Sequence, residues 1–577
     1  MNGELTVWAP HAARVDVQLA GRVAMDSRGD GWFRAPAPPP GTDYGFVVDG
    51  GDPRPDPRSP WQPHGVHGPG RTVDHAAFGW TDARWRGTGL AGAVFYELHV
   101  GTFTPEGTFD GAIARLPHLV DLGVTIVELM PVAHFPGGRG WGYDGVDLYA
   151  PHHDYAGPDG LKRFVDACHS HGLAVVLDVV YNHLGPSGNY LDTYGPYFTD
   201  RYVTPWGRAV NLDGRGSDQV RAFIIDNALM WLADYHCDGL RLDAVHAIVD
   251  TSAVHILEEL AGQVGELAER SNRRLLLIAE SDLNDPRVVR APELGGYGMD
   301  AQWSDDFHHA MHAALTGERS GYYDDFGSIS CIAKALREAF VYDGIHSQYR
   351  DRRHGRPAGE ISGTRFLGYL QTHDQVGNRA RGERSSALMS TGALKIGAAL
   401  VLTSPFTPML FQGEEWGATT PFLYFTDHDD PDLARAVSEG RKREFAAFGW
   451  RPEEVPDPQD QTSFERSKLD WSEPERAPHD DLLAWHKSLI DLRRAEPALA
   501  DGRRDLVRTS FDEDRRWLMV ERDPITVACN LAQAPSALPV APARRRCLVL
   551  TSGAPPVQGA GADTVTLEPE SVTIWST

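Results

Sequence analysis

From Ala93 onward the chain alternates short apolar runs with longer amphipathic stretches. The apolar runs are 93–98, 124–129, 173–180, 239–242, 275–279, 301–303, 366–371 and 408–411. Strands that read as continuous apolar runs are buried on both faces, as in parallel sheets. Helical spacing fills 111–122, 161–171, 220–236 and 482–494 between and after them. Eight such units in order predict an α/β chain built on a (β/α)8 TIM barrel, with its chemistry at the C-terminal ends of the strands.

The flanks have a different texture. Short strand-like pieces separated by Pro- and Gly-rich turns fill the first 88 residues, and similar pieces return after 498. The expected organisation is an N-terminal β-sandwich over 1–88, a catalytic barrel over 93–498 and a C-terminal β-sandwich domain over 499–577. A Gly-, Pro- and aromatic-rich stretch at 184–213 is too long for an ordinary connection and predicts a short inserted subdomain after the third strand. The net charge of −25, from 55 Lys+Arg and 80 Asp+Glu, repels nucleic acid and anionic membranes and leaves a neutral substrate unaffected. No leader, no bilayer-length apolar run and no G-x-G-x-x-G after a strand is visible. Five cysteines without a C-x-x-C pair predict neither a disulfide framework nor a zinc site, and place the chain in the cytoplasm.

Charged residues gather at the strand ends: Asp178, Asn182 and His183 at the third, Arg241 and Asp243 at the fourth, Glu280 after the fifth, His373 and Asp374 after the seventh. Along Gly239-Leu240-Arg241-Leu242-Asp243 alternate residues share a face, so Arg241 and Asp243 point the same way. An arginine there keeps the Asp243 carboxylate ionised and oriented, as a carboxylate nucleophile requires. Any one of these residues alone reads as a structural strand-end group; three acids, two histidines and an arginine on four ordered strands read as a site.

Asp178-Val179-Val180-Tyr181-Asn182-His183, Gly239-Leu240-Arg241-Leu242-Asp243, Ala279-Glu280-Ser281 and Thr372-His373-Asp374-Gln375 resemble the four ordered motifs of the α-amylase superfamily of glycoside hydrolases. The resemblance implies a retaining mechanism with Asp243 as nucleophile, Glu280 as acid/base and Asp374 as the third, transition-state-stabilising carboxylate. It also implies that His183 and His373 bind the sugar before the scissile bond and that Tyr143 stacks on it. Arg241 joins the binding set, with Asp178 as its internal partner.

Stretches 197–202, 204–207, 371–380, 422–428 and 439–445 are similar to one branch of that superfamily, the maltooligosyltrehalose trehalohydrolases. The branch implies maltooligosyl trehalose and maltooligosaccharides as ligands and functional coupling to a maltooligosyltrehalose synthase. His246, Trp206 and Trp416 are the candidates for the leaving-group side. The rival readings are a glucan branching or debranching enzyme and a non-catalytic glycan-binding relative; the last conflicts with the presence of all three carboxylates. Asn182 matches a position that helps bind calcium in many α-amylases, but no cluster of carboxylates follows His183 to complete such a site. The expectation is no cofactor and no catalytic metal.

Overall fold

The computed structural model describes residues 3–446, 450–540, 547–558 and 563–576. Residues 1–2 and 577, at the ends of the first and last expected domains, lie outside the described residues, as do 541–546 and 559–562 within the last.

The eight expected strands are Phe95–Leu98, Ile126–Leu129, Ala174–Val179, Gly239–Leu242, Leu276–Ala279, Ala301–Trp303, Phe366–Gly368 and Thr407–Phe411, and they close into one parallel barrel in chain order. Every residue in them is buried. Side-chain alternation then decides what faces the barrel axis. Phe95, Ile126, Ala174, Val176, Leu276, Ile278, Ala301, Trp303, Leu367 and Met409 form one interior apolar cluster. Two residues further along the same faces come Glu97, Glu128, Asp178 and Glu280, with Arg241 on the fourth strand and Asp243 one residue past its end. The apolar plug at the bottom thus becomes a charged layer at the C-terminal mouth without any change of strand phase. Register completes the placement: Asp178 pairs with Arg241 across the third and fourth strands, and Glu97 pairs with Glu128 across the first and second.

The seventh strand is shorter than its apolar run. It ends at Gly368 because the Leu370 carbonyl accepts from His308 Nδ1 and Thr372 then caps a short helix, His373–Gly377. Thr372 and Gln375 form a reciprocal capping box, which fixes His373 and Asp374 in the first turn.

The inserted segment forms a two-stranded antiparallel hairpin, Phe198–Thr204 with Gly207–Val210, on the mouth side of the third strand. The N-terminal region packs a sheet built on Glu4–Trp8, Trp32–Pro36 and Asp26–Gly29 with a second built on Val15–Gln18 and Asp43–Val48. It braces the barrel loops: Trp8 meets Tyr197 edge-on, Tyr194 Oη donates to the Pro55 carbonyl at 2.6 Å, and Arg58 Nη1 donates to Tyr149 Oη at 2.8 Å. The C-terminal region holds a five-stranded and a three-stranded sheet around Trp517, Met519, Leu538, Val565, Leu567 and Trp575.

Candidate active site

Arg241 is the hub of the barrel mouth, and its side chain is wholly buried. Its Nη1 donates to Asp178 Oδ2 at 2.7 Å and to Asp243 Oδ1 at 2.9 Å, while Nη2 lies 3.5 Å from Glu280 Oε2. Below it, the Trp303 ring centre lies 4.3 Å from the guanidinium carbon, a cation–π contact that fixes the plane of the fork. The other Asp243 oxygen accepts from Asn182 Nδ2 at 2.7 Å, and the same amide donates to the Asp243 carbonyl at 2.9 Å. Both lobes of Asp243 are therefore held by donors, and the side chain keeps 12% of its surface open. A carboxylate so held has a fixed orientation and one open face.

Glu280 sits in the opposite electrostatic situation. Its Oε2 accepts from the Ala244 backbone N–H at 2.5 Å. Burial pushes its carboxyl well above the usual range; Arg241 opposes this, and the Asp243 and Asp374 charges add to it. Two neighbouring carboxyl groups on one guanidinium are thereby given different duties, Asp243 as oriented acceptor and Glu280 as proton holder. Asp374, 41% exposed at the start of its helix, faces the same mouth, with Oδ1 3.5 Å from His373 Nε2.

A buried relay links these groups. His373 donates from Nδ1 to Glu97 Oε1 at 2.5 Å and from its backbone N–H to Glu97 Oε2 at 3.0 Å. Its Nε2–H is shared with Tyr143 Oη at 2.8 Å, and that hydroxyl donates to Asp178 Oδ2 at 2.7 Å. Burial works against a charge on His373, but Glu97 and Asp374 outweigh it and hold the imidazole at about 9. That value lies above the ordinary 6.5, so folding favours the protonated ring. The stability it confers is complete below pH 6.5 and disappears as pH rises through 9, an amount on the order of 3 kcal/mol. His373→Gln is expected to lose stability relative to wild type at pH 6 and to lose much less at pH 10, measured by urea unfolding. A difference independent of pH would contradict the charged relay.

His183, kept neutral by burial despite Asp243 nearby, places Nε2 3.1 Å from the Tyr143 carbonyl, and its Nδ1 meets Asn182 Oδ1. Trp206, at the tip of the inserted hairpin, stacks on His183 with ring centres 4.8 Å apart and planes 8° apart, and stays 47% exposed. His246 is exposed on the 3-10 turn Val245–Ala247, three residues past Asp243.

Trp416 has to be removed from the binding set. It is fully buried behind the eighth strand, its indole N–H donates to Glu473 at 3.2 Å, and its ring packs on His118 and Trp471. Two contributors, Glu97 and Trp303, lie outside the sequence reading. Glu97 and Trp303 are distant in the chain from the side chains they support, and no local pattern marks them. Asn182 was legible as a motif residue, but its donation to Asp243 was not.

Comparison with known proteins places this geometry in a family. Residues 25–200 match the family described as alpha amylase, catalytic domain, and residues 502–574 match a domain of unknown function, DUF3459. The malto-oligosyltrehalose trehalohydrolase of Arthrobacter ramosus is 54% identical over 547 residues, covering 93% of this chain and 94% of that protein. Its namesake from Mycobacterium tuberculosis is 51% identical over 546 residues, covering 93% and 94%. A crystal structure from Salmonella typhimurium, of a protein provisionally named an alpha amylase, superposes with a TM-score of 0.91 at 39% identity, covering 100% of this chain and 97% of that one.

Proposed function

Since the chain belongs to the malto-oligosyltrehalose trehalohydrolase family of the α-amylase superfamily, we propose that it hydrolyses the α-1,4-glucosidic bond next to the terminal trehalose of maltooligosyl trehalose. The products are trehalose and a maltooligosaccharide. The observation that carries the reading is identity above half over nearly the full length of a relative bearing that name, rather than over the barrel alone. A branching or debranching activity and a non-catalytic role are not favoured.

In the proposed double displacement, an Asp243 oxygen attacks the anomeric carbon while Glu280 gives its proton to the departing trehalose oxygen. The glycosyl ester left on Asp243 is then attacked by water. Glu280, now a carboxylate, takes the water proton, and Asp243 leaves in its starting form. Arg241 stabilises the negative charge that returns to Asp243, and Asp374 binds hydroxyls of the distorted sugar. Tyr143, His183 and His373 hold the sugar on the glycon side of the bond.

Selection of trehalose falls to the leaving-group side, where His246 and Trp206 stand. Pockets built to pair polar groups reject ligands that leave those groups unpaired. His246→Ala is expected to lower the preference for trehalose-terminated over plain maltooligosaccharides by about tenfold or more while plain substrates are cut at a similar rate. An unchanged preference ratio would remove His246 from this role.

Among the described residues no helix is long and apolar enough to cross a membrane. A cytoplasmic location and coupling to the synthase that makes the substrate remain part of the proposal, as does the division into 1–88, 93–498 and 499–577. The direct test is a paired digestion of maltotriosyl trehalose and a maltooligosaccharide of equal length. Fast trehalose release from the first with little action on the second supports the assignment; equal cleavage of both points to a general amylase.

A further inference from the structure

We propose that His134, His152 and His153 form a binding site for one divalent transition-metal ion of the zinc and cobalt class, at the foot of the loop that carries Tyr143. One ring nitrogen from each histidine lies within 4.8 Å of the others. The three rings are mutually close, with centres 5.0, 5.0 and 4.8 Å apart. His134 Nδ1 and His152 Nδ1 stand 3.2 Å apart. Two imidazole ligands on one tetrahedral zinc ion, each bonded at about 2.0–2.1 Å, are separated by roughly 3.3 Å.

Both of these side chains are completely buried. His153 Nδ1 is likewise buried and unpartnered. Its Nε2 lies 3.2 Å from Asp154 Oδ1. A carboxylate on that nitrogen selects the tautomer whose lone pair is on Nδ1, the arrangement that supports metal-bound imidazoles. A donor set of imidazoles suits zinc, cobalt or nickel and not calcium or magnesium, which want oxygen.

The position gives the ion a structural duty separate from the carboxylate chemistry. His134 belongs to the antiparallel ribbon of Ala133–His134 with Asp147–Pro151, and His152 and His153 follow its second strand directly. An ion joining them closes the base of the loop 135–146, whose Tyr143 hydroxyl touches both His373 and Asp178. The Phe135 ring, stacked 3.8 Å from His152, covers one side of the cluster.

The test is titration of the untagged, chelator-treated full chain with Co²⁺, followed by visible absorption and displacement with Zn²⁺. One equivalent giving the intense absorption of low-coordinate cobalt is expected, and it should vanish in His153→Gln. That ring is 31% exposed, so the variant should fold, with an unfolding temperature in chelator matching wild type. Asp154→Asn should keep the site and weaken Zn²⁺ binding about 10–100-fold. No stoichiometric binding by wild type, or binding undiminished in both His134→Gln and His153→Gln, would overturn the proposal. Neither outcome bears on trehalose release, which the paired digestion measures independently.

Discussion

Asp243→Asn is expected to cut hydrolysis by about 10⁴-fold or more, the scale seen when a covalent nucleophile is removed. The amide has nearly the volume of the carboxylate; it loses the bond from Asn182 Nδ2 but can still accept from Arg241 Nη1, which remains anchored by Asp178 at 2.7 Å. The variant should therefore fold and bind substrate normally, so that kcat falls and KM stays close to wild type. Steady-state kinetics on maltotriosyl trehalose with a matched thermal melt would show this. Activity within tenfold of wild type would mean that Asp243 does not form the covalent intermediate.

The largest stability effect belongs to Arg241→Leu. Removing the guanidinium takes the ion-pair partner from the buried Asp178 and Asp243 carboxylates and uncovers the Trp303 face. Breaking a buried ion pair from one side costs about 3–5 kcal/mol. The Asp178 carboxyl is already pushed up to about 6 by burial with Arg241 opposing, so without the arginine it should titrate higher still. The loss is thus greatest at neutral pH and shrinks in acid, where the carboxyls take up protons. Urea unfolding at pH 7 and pH 5 reads both features. A loss below about 1 kcal/mol at pH 7 would mean that Arg241 is not the hub of the site.

How far the chain could be read follows from where each signal lies. Barrel strands buried on both faces announce themselves as apolar runs, and the charged residues that follow those runs mark the mouth. Arg241 and Asp243 were legible because they sit two apart on one strand. Glu97 was not, because its partner His373 is 276 residues away and only the closure of the first strand against the eighth brings them together. Trp416 misled for a related reason: an aromatic just past a strand end faces the mouth or the outer helices according to the turn between. Here Gly413, at a positive φ of 81°, opens the short helix Glu414–Trp416, and the indole lies among the outer residues His118 and Trp471. The histidine cluster at 134, 152 and 153 has no metal-ligand spacing in the linear chain; the ribbon pairing creates it.

The division of labour between Asp243 and Glu280 on one guanidinium is the centre of this account, and the stereochemistry of the first-formed product tests it most directly. Proton NMR of the maltooligosaccharide released from maltotriosyl trehalose, recorded before mutarotation, should show the new reducing end as the α-anomer. Retention is what attack by Asp243 followed by water demands. A β-anomer would mean that water attacks directly, and Asp243 could not then be the nucleophile.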